Sequence, residues 1–306
     1  MKKYKLLETD TIKVGSKTLY RIKALESFGN VFKGEIGGYI EKESNLSHDG
    51  DCWVYRYAKV YENALVSENA HIAGYAKVFG HAEISDHAKV FGYAKVFGHA
   101  LVSDETDIFG YAEVYENAKV WKRSRIYGYA KVYGDAWVSD DACVFDDACV
   151  FDDACIYDDA QVYGDAWVYR DAKVFGRARV YDDAEVFANA EVSGNAKIFG
   201  EAEVSGYAKV SGDARVYGNT GVYVNACVYG DARIFNNAHV FGRTQVYGNA
   251  QVFGDAWVYG NAQVFGYAEV SGEADVYGNA QVFGDAEVSG EAEVSGDTEI
   301  SGNVKN

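Results

Sequence analysis

From residue 54 to residue 300 a Val or Ile stands at every sixth position, and all 42 such positions are β-branched. Four residues after each of them through Val294 comes a small residue, nearly always Ala, with Thr106, Ser124, Thr220, Thr244 and Thr298 as the exceptions. A typical unit reads Val162-Tyr163-Gly164-Asp165-Ala166-Trp167. A fixed short period means a stack of identical repeats, a solenoid. Within a unit, Ala and Val point to one side of the chain and the residues following them to the other, which is strand alternation. Gly-Asp or Gly-Asn then turns a corner, because these residues tolerate the positive φ of a tight bend. A strict period of six suits no 3.6-residue helix. Six residues thus make one side, and three sides close a triangular coil of 18 residues in which each residue stacks on its i+18 partner, about 4.8 Å away. Residues 54–306 are predicted to form about 14 coils, an all-β rod of roughly 65–70 Å at that spacing.

The unbroken register argues for one solenoid domain, residues 54–306, after a short N-terminal cap, residues 1–53. Burying each Val or Ile contributes roughly 1.5–3 kcal/mol, so one axis of them makes an ample core. Pro is absent, as expected where backbone N–H groups are consumed in ladders between coils. The net charge is −17, and the repeat region carries −18 of it, so bulk binding to nucleic acid or to an anionic membrane is not expected. The start, Met1-Lys2-Lys3-Tyr4-Lys5-Leu6-Leu7, lacks the apolar run of a signal peptide, and no later run is long enough to span a bilayer; the chain is expected to be cytoplasmic. Cys143, Cys149 and Cys155 fall on three different faces, and Cys155 and Cys227 share a column four coils apart, about 19 Å. Cys52 falls in the inward phase, so no disulfide and no thiolate metal site is expected.

In the cap, residues 10–23 read as a hairpin around Gly15-Ser16. The segments Gly37-Gly38-Tyr39-Ile40, Asn45-Leu46-Ser47 and Gly50-Asp51-Cys52-Trp53 then lead into the repeats, and the cap is expected to cover the open apolar end of the first coil. The repeat unit resembles that of the hexapeptide-repeat proteins. The run from Tyr20-Arg21-Ile22 through Gly37-Gly38-Tyr39-Ile40-Glu41 to Trp53-Val54-Tyr55 resembles poorly characterised bacterial and prophage members, labelled acyltransferases or polymer-forming proteins on the repeat alone. The resemblance implies a left-handed parallel β-helix, commonly a homotrimer. It also implies, for the acyltransferases, acetyl-CoA and a His base near a subunit boundary. Two departures weigh against transfer chemistry: Tyr, Phe or Ser follows the aliphatic residue, with Gly one place later, and no coil carries an inserted loop.

Sorting outward residues by i+18 gives faces. The first face runs Tyr55, Ala73, Phe91, Phe109, Tyr127, Phe145, Tyr163, Tyr181, Phe199, Tyr217, Phe235, Phe253, and the second begins Tyr61, Phe79, Phe97, Tyr115, Tyr133, Phe151. The third is mixed and begins Ser67, Ser85, Ser103. At the corner between the first two, Tyr57, Tyr75, Tyr93, Tyr111 and Tyr129 are predicted to form a tyrosine ladder. It reads either as an internal brace or as a subunit interface, since adjoining aromatic faces exceed what a monomer normally exposes.

Four further groups are candidates for chemistry. In Trp121-Lys122-Arg123-Ser124-Arg125, Lys122 is expected between Asp104 and Asp140, and Arg123 between Glu105 and Asp141, as charge compensation rather than a phosphate site. Arg179, Lys197, Arg215 and Arg233 stack like charges beside Tyr181, Phe199, Tyr217 and Phe235; cation–π contact is expected to offset the repulsion, and the array suits a small anionic, nucleotide-like ligand. Asp140, Asp141, Asp158 and Asp159 share one corner column, as turn residues or as a weak Ca²⁺ site. His81 and His99 share another corner and are the candidates for a catalytic base, with His87 on a third corner, His71 and His239 on faces, and none beside a loop that shapes a pocket. From Glu269 on, nine acids face one base, Lys305, so the uncapped last coil is expected either to dock on another copy or to rely on its acidity against edge pairing. The leading expectation is a non-catalytic scaffold or binding rod without cofactor. The alternatives are an acyltransferase using acetyl-CoA between subunits, and a protein that sequesters a small anion.

Overall fold

The computed structural model describes residues 2–305; Met1 and Asn306, where the expected cap begins and the expected repeat region ends, lie outside the described residues. The chain divides into two compact units, one ending at Asp152 and the other beginning at Asp153. Both are parallel β-solenoids whose strands pair with partners 18 residues away, such as Lys95 with Glu113 in the first and Arg179 with Lys197 in the second.

The repeat works as its pattern dictates. Each two-residue strand sends its N–H groups to carbonyls one turn on, as in Lys77 to Ala94 (3.0 Å) and Lys173 to Ala190 (2.9 Å). Inward Val and Ala are fully buried: Val96, Ala100, Val180 and Ala184 are all 0% exposed. Where Ser or Thr replaces the small Ala, its hydroxyl reaches a backbone carbonyl, three residues earlier for Ser124 to Trp121 (2.9 Å) and Thr244 to Phe241 (2.7 Å), and in the next turn for Thr106 to Lys122 (3.4 Å). A polar atom in the core is thereby satisfied locally, so the pattern tolerates the exchange. Corners sit in the left-handed region and are filled mostly by Gly or Asp, as at Gly212 (φ +71°) and Asp182 (φ +58°), with longer residues such as Glu62 (φ +62°), Lys122 (φ +62°) and Arg170 (φ +57°) at some of them. Val224 (φ +66°) is the β-branched exception, and nothing in the structure explains it.

The first unit opens with a hairpin longer than residues 10–23: β1 (Tyr4–Val14) pairs antiparallel with β2 (Lys17–Ala24) around Gly15-Ser16, with an irregularity between Leu7 and Thr11. Then β3 (Ile36–Ile40) lies antiparallel to β2 on one edge and parallel to the strand Lys59–Val60 on the other. The solenoid sheet therefore begins inside the cap. Tyr39 pairs with Lys59 and Leu46 with Val66, both 20 residues on, before Trp53 and His71 settle into the 18-residue register. The two extra residues lie in the loop 47–52. Lys3, only 2% exposed, holds that loop: its ammonium donates to the carbonyl of Gly50 (3.0 Å) and to Cys52 Sγ (3.2 Å). A one-turn 3-10 helix, Glu43–Asn45, makes the preceding corner, where buried Asn45 donates to the carbonyls of Glu62 (3.0 Å) and Ala64 (2.8 Å).

Gly37 and Gly38 are in this sequence because the first turn leaves no room for a side chain. A Cβ at Gly37 would stand 2.7 Å from Trp53 Cζ2, and one at Gly38 would stand 2.6 Å from the carbonyl of Ala58. Trp53 has the outward phase of its column yet is 0% exposed, because the cap folds over it; Tyr4 and Phe28 meet it edge-on at 6.2 and 5.5 Å. No helix among the described residues is long and apolar enough to cross a membrane.

Candidate functional site

In the first unit the tyrosine ladder is formed in register. Tyr57, Tyr75, Tyr93, Tyr111 and Tyr129 stack in sequence with centroids 4.9–5.1 Å apart and planes 5–6° from parallel. All five are about half exposed, from 48% at Tyr75 to 56% at Tyr129. The two adjoining faces are stacked as well: Phe91, Phe109 and Tyr127 at 4.9 Å, and Tyr61 through Phe79, Phe97 and Tyr115 at 4.8–5.0 Å. Those rings are more covered than the corner ones. Burial pushes the hydroxyls of Tyr61 and Tyr115 up to about 12, so they stay protonated donors at neutral pH. A shallow groove of about 310 Å³ runs beside the ladder, with Tyr93, Tyr111 and Tyr129 on one wall and Lys95, Glu113 and Lys131 on the other. Lys95 and Glu113 form an ion pair across the strands at 2.7 Å.

The basic patch is charge-compensated, with one difference. Lys122 pairs with Asp140 and donates its backbone N–H to Asp104 (3.1 Å), and Arg123 pairs with Asp141 at 2.6 Å. Glu105 makes no ion pair with Arg123 among the described residues, although both line a groove of about 490 Å³ with Asn69, His71, His87, Lys89, Asp107 and Arg125. His71 is half-buried there, and burial first, then the Lys89 ammonium, holds its imidazole below the usual histidine range.

The histidines call for a correction. His81 and His99 do stack at their corner (4.8 Å, planes 11° apart) and are exposed. However, His81 is not remote from a loop: it lines a groove of about 350 Å³ with Lys17 at the start of β2, with Glu41 and Lys42, which follow β3 in the cap, and with Glu62 and Asn63. His71 and His87, separated as a face and a corner residue, share the other groove. Sorting by columns hid this, because a groove forms between neighbouring columns.

In the second unit Arg179, Lys197, Arg215 and Arg233 are consecutive cross-strand neighbours, and Phe199, Tyr217 and Phe235 pair alongside. Tyr181, Phe199, Tyr217 and Phe235 stack at 4.8–5.2 Å. Among the described residues, no cation of this row lies over one of these rings. Arg170 does lie over rings in this unit, 5.8 Å from Tyr169 and from Phe187. A ring whose two faces are covered by its neighbours has only its edge left to offer, and the edge of the quadrupole is positive.

Of the corner aspartates, Asp140 and Asp141 belong to the first unit and take Lys122 and Arg123; Asp158 and Asp159 belong to the second, where Asp158 accepts from the Gly176 N–H (3.1 Å) and Asp159 faces Arg177 (3.9 Å). Among the described residues no group of three or more His, Cys, Asp or Glu side chains is arranged to hold a metal ion. None of the five cysteines forms a disulfide among the described residues.

A parallel β-solenoid with a hexapeptide period and stacked aromatic faces defines the class. Within it, residues 208–223 and 245–260 match the family model of the YdcK β-solenoid repeat. Over 57 residues the chain is 37% identical to a protein of Escherichia coli (strain K12) named "Uncharacterized acetyltransferase YdcK". That stretch is 18% of this chain, and the chain spans 18% of the length of that relative.

Proposed function

We propose that this protein is a β-solenoid scaffold that self-associates through the tyrosine edge of its first unit. The supporting observation is the row of five half-exposed tyrosines in uninterrupted register. Apolar surface in one continuous strip is a liability on a monomer. Stacking consumes the ring faces, so the strip offers edges and hydroxyls at a fixed interval of about one strand spacing. A second copy of the same strip repeats at the same interval and meets it ring by ring. An oligomer built this way is homomeric, and a trimer is the form that the hexapeptide-repeat resemblance implies. Changing Tyr93 and Tyr111 together to Glu puts two charges on the strip without touching the core. Native mass spectrometry is expected to show the oligomer split into monomers, with circular dichroism unchanged; an unchanged oligomeric mass would sink the reading.

The printed name of the YdcK relative favours a second reading, acyl transfer from acetyl-CoA. Under it, coenzyme A raises the thermal unfolding midpoint of the wild-type protein, and His81→Ala with His99→Ala, or His71→Ala, abolishes that shift. No shift in the wild type at millimolar coenzyme A would remove this reading.

A further inference from the structure

The second unit holds an arrangement that folding alone does not favour. Lys197, Arg215 and Arg233 are directly opposed along three successive strands, and like charges so placed repel. None of the three has an ion pair or a side-chain hydrogen bond among the described residues, in a chain whose net charge is −17. Acids were available in abundance to neutralise them. The row instead forms one wall of a groove of about 270 Å³ whose other wall is Asn195, Asp213 and Asp231. Asp213 takes its hydrogen bond from Asn195 Nδ2 (3.1 Å) and not from a cation of the row.

We propose that this groove binds an acidic oligosaccharide, a chain of pyranoses carrying one carboxylate per sugar. Cations on one wall at about 4.8 Å intervals match a polymer that advances by a comparable length per charge, as a linear polyuronate does. The acidic wall selects among anions. Asp213 and Asp231 repel the unbroken charge of a phosphate polymer, whereas sugar hydroxyls donate to them while the sugar carboxylates lie against Arg215 and Arg233. A nucleotide is disfavoured for a second reason: the rings beside the row stack on one another, so no face is free for a base. Each contact is exposed and weak, and the surrounding field is negative, so affinity accumulates only along a chain that spans several turns.

Calorimetric titration of the full-length protein with an oligogalacturonate long enough to cross three turns tests this, with the fully methyl-esterified oligomer, monomeric galacturonate and inorganic polyphosphate as comparisons. The charged oligomer is expected to bind in a salt-sensitive way, the ester and the monomer not measurably, and polyphosphate more weakly. Arg215→Glu with Arg233→Glu, at exposed positions outside the core, is expected to weaken binding at least about tenfold with circular dichroism unchanged. No binding by the oligogalacturonate, equal binding by the ester, tighter binding by polyphosphate, or full binding by a folded double variant would each overturn the proposal. The site lies in the other unit from the tyrosine edge, so a Tyr93→Glu, Tyr111→Glu protein is expected to keep this binding whatever happens to its mass.

Discussion

Trp53→Ala is expected to remove about 3–5 kcal/mol from the first unit and to open its cap. Trp53 is 0% exposed, the largest fully buried side chain of the protein, and it joins three segments distant in sequence: Tyr4 of the hairpin, Phe28 of the following loop, and Gly37 of the first solenoid strand. Its truncation leaves a cavity that β3 cannot collapse into, because β3 is bonded on both edges, to β2 and to Lys59–Val60. Solenoid stability is approximately a sum of nearest-neighbour terms, so the loss stays local. Hydrogen exchange should show lost protection in residues 2–60 and native protection beyond Asp153. Trp53→Phe should cost much less, since the indole N–H has no hydrogen-bond partner among the described residues and only area is lost. A uniform loss of protection along both units would contradict the local account, and so would an equal cost for Phe and Ala.

The same residue shows where the sequence could be read and where it could not. The hexad exposed the inward Val and Ala, the positive-φ corners and every aromatic column, because each depends on one residue's phase. The i+18 rule even placed Lys122 against Asp104 and Asp140. Trp53 obeys the outward phase and is nevertheless buried, since burial there is decided by a hairpin packing from outside the period. The first turn was hidden for a related reason: Tyr39 and Leu46 stand 20 residues from their partners, so no 18-residue count finds them. The grooves were hidden because they lie between columns, as with His87 at a corner and His71 on the face beside it. The missing cation–π contacts share one cause with the ladders that were foreseen: a ring that stacks on both neighbours has no face to give Arg215.

Ala208→Leu is expected to be as damaging as Trp53→Ala by the opposite route, overfilling rather than emptying. Ala208 is 0% exposed, in an inward column whose neighbours Ala190 and Ala226 are equally buried. The coil cannot widen to admit a larger residue. Its strands are pinned from one side by Glu191 N–H to the Ala208 carbonyl and from the other by Lys209 N–H to the Ala226 carbonyl, both 2.9 Å. Overpacking of a core with ordinary freedom costs about 1–3 kcal/mol, and here the relief available elsewhere, a shifted backbone, breaks ladder bonds in two turns at once. The substitution should lower the denaturation midpoint of the second unit and cost protection mainly between residues 185 and 230. Ala208→Thr is the telling comparison, since Thr106, Thr220 and Thr244 already occupy equivalent positions, buried, with the hydroxyl turned to a backbone carbonyl. Thr should be tolerated within about 1 kcal/mol. If Leu were tolerated as well as Thr, the six-residue rule of a small residue four places after each Val would reflect something other than the width of the coil.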